Sequence, residues 1–316
     1  MVKTVVVGLY VDKDCVFGSS NGGTGYENYL HYPEILLRKM LEVYNIAFFS
    51  ESQLPLEEAD VVLCIDLTPD LYARIKQLPP GIYKILQACE SPLYAPFSHY
   101  YKVLGDPVWN AVLTWNRAFE GEKIFHYDIP ITGKTGSGLP EFLSERDLEF
   151  NECGVVIASG KGRDPRGFLP ERQQFYKKMT AAGYIDLYGN GWKVDPEKNR
   201  FGKINDKVAV LKKYSYALVI ENLWSDGYVT EKIGDCILAG LPVIYAGDFY
   251  YAQMRFPDTF VPLTDINIEC FIQAREKIRQ EYPFFCKAVR NCYQNSDTWC
   301  DSYLWTMKNI FCKLGK

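Results

Sequence analysis

Histidine is scarce in this chain, with three in 316 residues, and so is any excess of positive charge. His31, His99 and His126 follow no metal-ligand spacing and read as structural or surface side chains. Lysine and arginine number 35 against 39 aspartate and glutamate, a net charge of −4, so no broad positive field exists to hold nucleic acid. A local basic site for phosphate stays compatible with that balance. Long apolar runs are missing too: the longest uncharged one, 236–247, contains Gly240 and Pro242 and is too short to span a bilayer. The first apolar run soon meets Asp12 and Asp14 and reads as a strand, not a secretory leader. A soluble, cytoplasmic chain is the expectation.

What is present is ordinary for a globular protein: 47% apolar and 23% charged residues, over a length of about two domains at roughly 150 residues each. Ten cysteines include no C-x-x-C pair and no zinc spacing, so they read as reduced thiols. Cys286, Cys292, Cys300 and Cys312 are the one group close enough in sequence for a disulfide framework. Aromatic residues reach 15%, which suits stacking on sugar rings as well as core packing.

The first half alternates strand and helix signals: strands at 2–10, 46–49, 61–65 and 83–87, helices at 32–44 and 69–77. Pro33 fits the first turn of its helix, where a missing N–H costs nothing. Glycines and Pro140 between 133 and 140, then the charged stretch 145–152, read as an interdomain connection. Alternation resumes with strands at 154–159, 185–188, 216–220 and 242–245 and helices at 170–182, 206–213 and 230–239, before a helical tail from Asn267. Such a pattern predicts two α/β domains with parallel sheets, 1–148 and 149–316, the second keeping the C-terminal helices.

Two phosphate-loop signals fail. Gly133-Lys134-Thr135 has Asp128 where the first glycine of that loop belongs. The segment 20–25 lacks the full dinucleotide fingerprint and reads as a loop. Asp12-Lys13-Asp14 has the D-x-D form of a metal-holding pair but reads as a solvated turn.

The informative stretch is 214–247. A buried strand ends at Ile220, so Glu221-Asn222 emerge at its carboxyl end, where open α/β sheets bind ligands. Tyr228-Val229-Thr230-Glu231-Lys232 then opens a helix whose N-terminal N–H groups and dipole suit a diphosphate. Lys232 adds a point charge and Glu231 could accept from sugar hydroxyls. A capped surface helix with a plain Glu-Lys pair is the competing reading.

Together with Ala239-Gly240 and Pro242-Val243, these residues resemble the signature of the α-1,3-fucosyltransferases, glycosyltransferase family 10. There the pattern runs F-E-N-S, three variable residues, D-Y-[IV]-T-E-K; Leu223 stands here for the serine and Gly227 for the aspartate. The strand 154–159 with the following Arg172 is similar to the family's strand and Arg-bearing helix, and Glu90-Ser91-Pro92 resembles the E-S-P of its acceptor domain. Tyr188-Gly189 matches a family Y-G before a variable loop.

The resemblance implies a GT-B-like fold, two Rossmann-like domains facing a central cleft, with the acceptor domain at 1–148 and the donor domain at 149–316. It implies inverting, metal-independent transfer of fucose from GDP-fucose to a glycan hydroxyl, with no cofactor required. Glu90 would be the base, and Ser159, Arg172, Glu221, Asn222, Tyr228, Glu231 and Lys232 would meet the donor. The acceptor would be an N-acetylglucosamine-type sugar of a bacterial-type surface glycan. The segment 302–316 mixes Trp305, Ile310, Phe311 and Leu314 with Lys308, Lys313 and Lys316. It could lie on an anionic membrane beside a lipid-linked acceptor or pack as a helix across the domain junction. Two rivals stand beside this reading: a GT-B enzyme using another nucleotide sugar, which Leu223 keeps open, and a non-catalytic two-lobed sugar- or nucleotide-binding protein, which would not need Glu90.

Overall fold

Runs of Val, Ile and Leu bounded by turn residues become strands in both halves of the chain, and each half closes on its own sheet. The computed structural model describes residues 1–8, 32–131, 149–160 and 167–312. One compact unit comprises Met1–Pro130 with Cys300–Lys316, the other Ile131–Trp299.

In the first unit, β1 (Val2–Gly8), β2 (Ile46–Ser50), β3 (Val61–Ile65), β4 (Tyr83–Ala88), β5 (Ala111–Thr114) and β6 (Ile124–His126) form one parallel sheet in the order β2-β1-β3-β4-β5-β6. Every residue of β3 is buried, as in a central strand covered on both faces. Among the helices are α1 (Tyr32–Val43), α2 (Pro69–Gln77) and α3 (Tyr101–Leu104). Helix α2 starts where its sequence says it should: Thr68 Oγ1 accepts from the Leu71 N–H and Pro69 takes the first turn. Val5, Cys64, Leu86, Trp109 and Val112 fill the core.

The second unit repeats the plan. Strands β7 (Gly154–Ile157), β8 (Ile185–Tyr188), β9 (Arg200–Gly202), β10 (Ala217–Ile220), β11 (Val243–Ala246) and β12 (Phe260–Pro262) pair in parallel as β12-β11-β10-β7-β8-β9. Its helices are α4 (Leu169–Ala181), α5 (Lys207–Leu211), α6 (Glu231–Leu238), α7 (Phe249–Arg255), α8 (Ile268–Gln280) and α9 (Tyr282–Gln294). Helix α6 stops at Gly240, whose φ of 79° suits a residue without a Cβ.

The last helix, α10 (Asp301–Cys312), corrects the expected division of the chain: it belongs to the first unit. The reason is its buried face. The Tyr303 hydroxyl donates to Gln87 Oε1 at 3.1 Å, its ring lies 5.8 Å from that of Tyr127, and Met307, Ile310 and Phe311 are buried. Ile310 and Phe311, offered above as membrane-facing, are therefore core residues, while Trp305 is exposed. No helix among the described residues is long and apolar enough to cross a membrane. None of the nine described cysteines is bonded to another, Cys286, Cys292, Cys300 and Cys312 included. The strands β5, β6, β9 and β12 lie outside the expected set; β6, β9 and β12, at three residues each, are too short to display alternation. The readings at Asp12-Lys13-Asp14, 20–25, His31, 133–140, the first part of 145–152, Lys313, Leu314 and Lys316 lie outside the described residues.

Candidate active site

Strand β10 delivers Glu221 to the carboxyl edge of the second sheet, but not to solvent. Its carboxylate is fully buried. The Thr230 N–H donates to Oε1 at 3.0 Å, the Thr230 hydroxyl lies 2.9 Å from both oxygens, and Lys232 Nζ donates to Oε2 at 2.8 Å. The buried Tyr245 hydroxyl stands 3.4 Å from Oε1. Both oxygens are thus taken by the protein, which corrects the expectation that Glu221 meets a ligand. It acts as an anchor that ties the loop and the start of α6 to the end of β10.

Lys232 has three N–H donors; Glu221 Oε2 and Thr230 Oγ1 (2.8 Å) take two, and 22% of the side chain stays exposed. Burial alone would lower its pKa, but the negative charges of Glu221 and then Glu231 outweigh it and hold the amine protonated. Glu231 shows the converse balance. Burial pushes it up, yet the charges of Lys232 and Lys207 win and leave it below the ordinary range. Glu231 lies at the first turn of α6 with its oxygen 3.9 Å from Lys232 Nζ.

Arg172 stands in the first turn of α4, buried, with Nη1 donating to the Ile220 carbonyl at 3.0 Å. That excludes the exposed helical arginine. Its Nε has no partner among the described residues. The Phe168 N–H donates to the Asn222 carbonyl at 3.0 Å, so the start of α4 and the end of β10 are stitched together. Asn222 Nδ2 lies 3.4 Å from the Tyr228 hydroxyl, both side chains buried. Ser159, just past β7, is half-buried with Oγ 3.5 Å from the Asn190 carbonyl. All seven expected donor residues therefore lie in one unit: six at the carboxyl ends of β7 and β10 or in the first turns of α4 and α6, and Tyr228 in the loop between β10 and α6.

The two departures from the family pattern have local explanations. Gly227 has φ of 85°, in the left-handed region, and its N–H donates to Asp248 Oδ2 at 2.7 Å; Asp248 also caps α7 by accepting from the Tyr251 N–H. Leu223 is buried. Next to it Trp224 is 52% exposed, its ring edge-on to Phe249 at 5.1 Å and to Phe168 at 6.4 Å. Sequence reasoning passed over Trp224, although an exposed aromatic inside a binding motif is itself a signal. It also passed over the Lys207–Asp235 ion pair at 2.9 Å, whose two members are far apart in sequence.

Glu90 lies in the first unit, half-buried, immediately past β4. Its N–H donates to Asp66 Oδ2 at 2.9 Å, and its carbonyl oxygen is 2.5 Å from His99 Nε2. Among the described residues no group of three or more His, Cys, Asp or Glu side chains is placed to hold a metal ion.

Residues 163–313 match the family model for glycosyltransferase family 10 (fucosyltransferase), C-terminal part. A protein of Arabidopsis thaliana described as fucosyltransferase-like is 30% identical over 127 residues, 37% of this chain and 23% of that protein. The match thus spans about a quarter of that relative's length. The crystal structure of an alpha1,3-fucosyltransferase with GDP superposes with a TM-score of 0.60 at 15% identity, covering 99% of this chain and 89% of that one. An alpha-glucosyltransferase in complex with UDP gives 0.60 at 7% identity and full coverage of both chains. At these identities the likeness is one of fold: two parallel-sheet α/β domains of the GT-B kind.

Proposed function

We propose that this chain is a glycosyltransferase of the family 10 type and that it moves fucose from GDP-fucose to a glycan hydroxyl with inversion at the anomeric carbon. The observation that carries the proposal is the lock of Glu221 on Thr230 and Lys232, which presents the start of α6 and an amine with one N–H left over among the described residues at the edge of the sheet. A leaving diphosphate gathers charge in the transition state, and fixed cations and N–H groups stabilise it there. Lys232, the α6 N-terminus and the unpartnered Nε of Arg172 are the groups for that task. Asn222, Tyr228, Ser159 and Glu231 complete the donor site, while Glu221 supports it from beneath.

Glu90 takes the proton of the acceptor hydroxyl as its oxygen bonds to the anomeric carbon. The bond from that carbon to the diphosphate oxygen breaks, and GDP departs with the electron pair. No metal enters this scheme. The resemblance of the 221–232 segment extends the proposal to an α-1,3 linkage on an N-acetylglucosamine-type sugar of a bacterial-type surface glycan, made in the cytoplasm.

A UDP-sugar donor is the second reading, favoured by the buried Leu223 in place of the family serine and by the fold shared with a UDP-bound alpha-glucosyltransferase. Thermal unfolding with GDP-fucose, GDP-mannose, GDP and UDP-sugars, in chelator, separates the two. A ligand at 100 times its Kd adds about 2.7 kcal/mol. Stabilisation by GDP and GDP-fucose alone supports the first reading, by UDP-sugars the second, and by none of them neither. Arg172→Ala and Lys232→Ala should each weaken donor binding by about 1.5–3 kcal/mol, the scale of a charged hydrogen bond. Glu90→Gln should bind donor normally and lose at least about a hundredfold in transfer.

A further inference from the structure

The two residues Cys89-Glu90 leave the sheet just after β4, where β3 has ended at Ile65 and β5 at Thr114, so strand pairing no longer satisfies their backbone. Side chains do so instead, at all four polar groups. Asp66 Oδ1 accepts from the Cys89 N–H at 3.1 Å and Oδ2 from the Glu90 N–H at 2.9 Å. Trp115 Nε1 donates to the Cys89 carbonyl at 2.9 Å, and His99 Nε2 lies 2.5 Å from the Glu90 carbonyl. Because a carbonyl only accepts, His99 carries its proton on Nε2, and its Nδ1 has no partner among the described residues. Asp66 itself is buried and has φ of 55°, a left-handed conformation that turns its side chain across to the neighbouring strand end.

We propose that Asp66 is the positioning residue for the base of the transfer reaction: its two oxygens, one on each amide of Cys89 and Glu90, fix the backbone from which the Glu90 carboxyl reaches the acceptor. The inference rests on the reading of Glu90 as that base. An ionised carboxylate serves both amides with one oxygen each, whereas an asparagine turns an N–H toward one of them. Cys89 and Glu90 beyond β4, Ser98 and His99 in the turn at 96–99, and Tyr127 beyond β6 are the ionisable or hydroxyl groups around it. Burial pushes the Asp66 carboxyl up to about 6, against the pull of the Glu90, Cys89 and Ser98 hydrogen bonds, and burial lowers His99 against the pull of its Glu90 hydrogen bond.

The test compares Asp66→Asn with Glu90→Gln in the full chain, using GDP-fucose and an acceptor found by screening. Asp66→Asn is expected to lower kcat about tenfold to a hundredfold, the scale of a misplaced catalytic group, with the KM for donor within about twofold. The acid limb of its kcat profile should move, because the ionisation that organises the base is gone. Unchanged kcat and pH profile in Asp66→Asn, beside an inactive Glu90→Gln, overturns the inference and leaves the base assignment standing. Normal turnover in Glu90→Gln overturns the base assignment, and the inference with it. Should Asp66→Asn not fold, the unaltered protein still decides. Its Cys89 and Glu90 amide protons should shift together as pH crosses about 6 in nuclear magnetic resonance spectra, and flat traces for both overturn the proposal.

Discussion

Lys232 Nζ lies 2.8 Å from the carboxylate of Glu221, which has no exposed surface of its own. The pair is lopsided: the anion is interior and the cation keeps 22% of its side chain exposed. Loss of the anion should therefore damage the fold before it damages ligand contact. Glu221→Gln keeps the shape and removes the charge. It should cost about 2–4 kcal/mol, near the lower end of the cost of breaking a buried pair because Lys232 keeps some water. Denaturant titration checks the value; a variant as stable as the parent but unable to bind GDP would return Glu221 to the ligand.

Asp66 sets the stability of the protein against pH in a direction unusual for a carboxylate. Its pKa is raised on folding from 3.8 to about 6, so the folded chain holds the proton more tightly than the unfolded one. Its contribution is fully favourable below 3.8 and is lost as pH rises through about 6. The loss amounts to about 3 kcal/mol at about 1.4 kcal/mol per unit. Relative to the parent, Asp66→Asn should gain stability as pH rises through that window, whatever its fixed cost in hydrogen bonds. Paired denaturation curves across the range measure it, and a difference independent of pH would contradict the assignment.

Gly189 has φ of 132°, and a Cβ there would lie 1.9 Å from the Ala158 carbonyl oxygen. Neither fault can be relieved by a side-chain rotation. Gly189→Ala is expected to lose more than about 4 kcal/mol, in the exceptional range for a point substitution. An unshifted unfolding midpoint would show that the ends of β7 and β8 can separate.

Tyr303→Phe deletes one hydroxyl, yet it strands a buried amide. Gln87 is fully buried, its Nε2 lacks a partner among the described residues, and its Oε1 accepts from that hydroxyl. The expected loss is about 1–3 kcal/mol, the cost of an unpaired buried acceptor. Substituting Gln87 by Leu in the same background should recover part of it, and thermal unfolding of the three variants reads out the coupling.

The longer elements were legible because their signals are local. The strands Val61–Ile65 and Ile185–Tyr188 and the helix Pro69–Gln77 fall at the bounds their residues suggest. A three-residue strand such as Arg200–Gly202 exists only because β8 lies beside it, so nothing in its own residues announces it. The candidate site divides in the same way. Spacing marks 221–232 as a unit, but which carboxylate faces inward is a property of packing. Glu221 and Glu231 look alike in sequence and differ completely in burial. Asp66 was invisible for a related cause: it meets Glu90 across 24 residues, through the pairing of β3 with β4.

Helix α10 makes the first unit discontinuous along the chain. On the ribosome, 1–130 emerges early but cannot bury Tyr127 and Gln87 against Tyr303 until 300–312 has been made. The second unit has no such wait, because all of its residues precede α10. Domains generally fold as units in order of synthesis. Here the order is inverted, and the half of the protein made first is the half completed last.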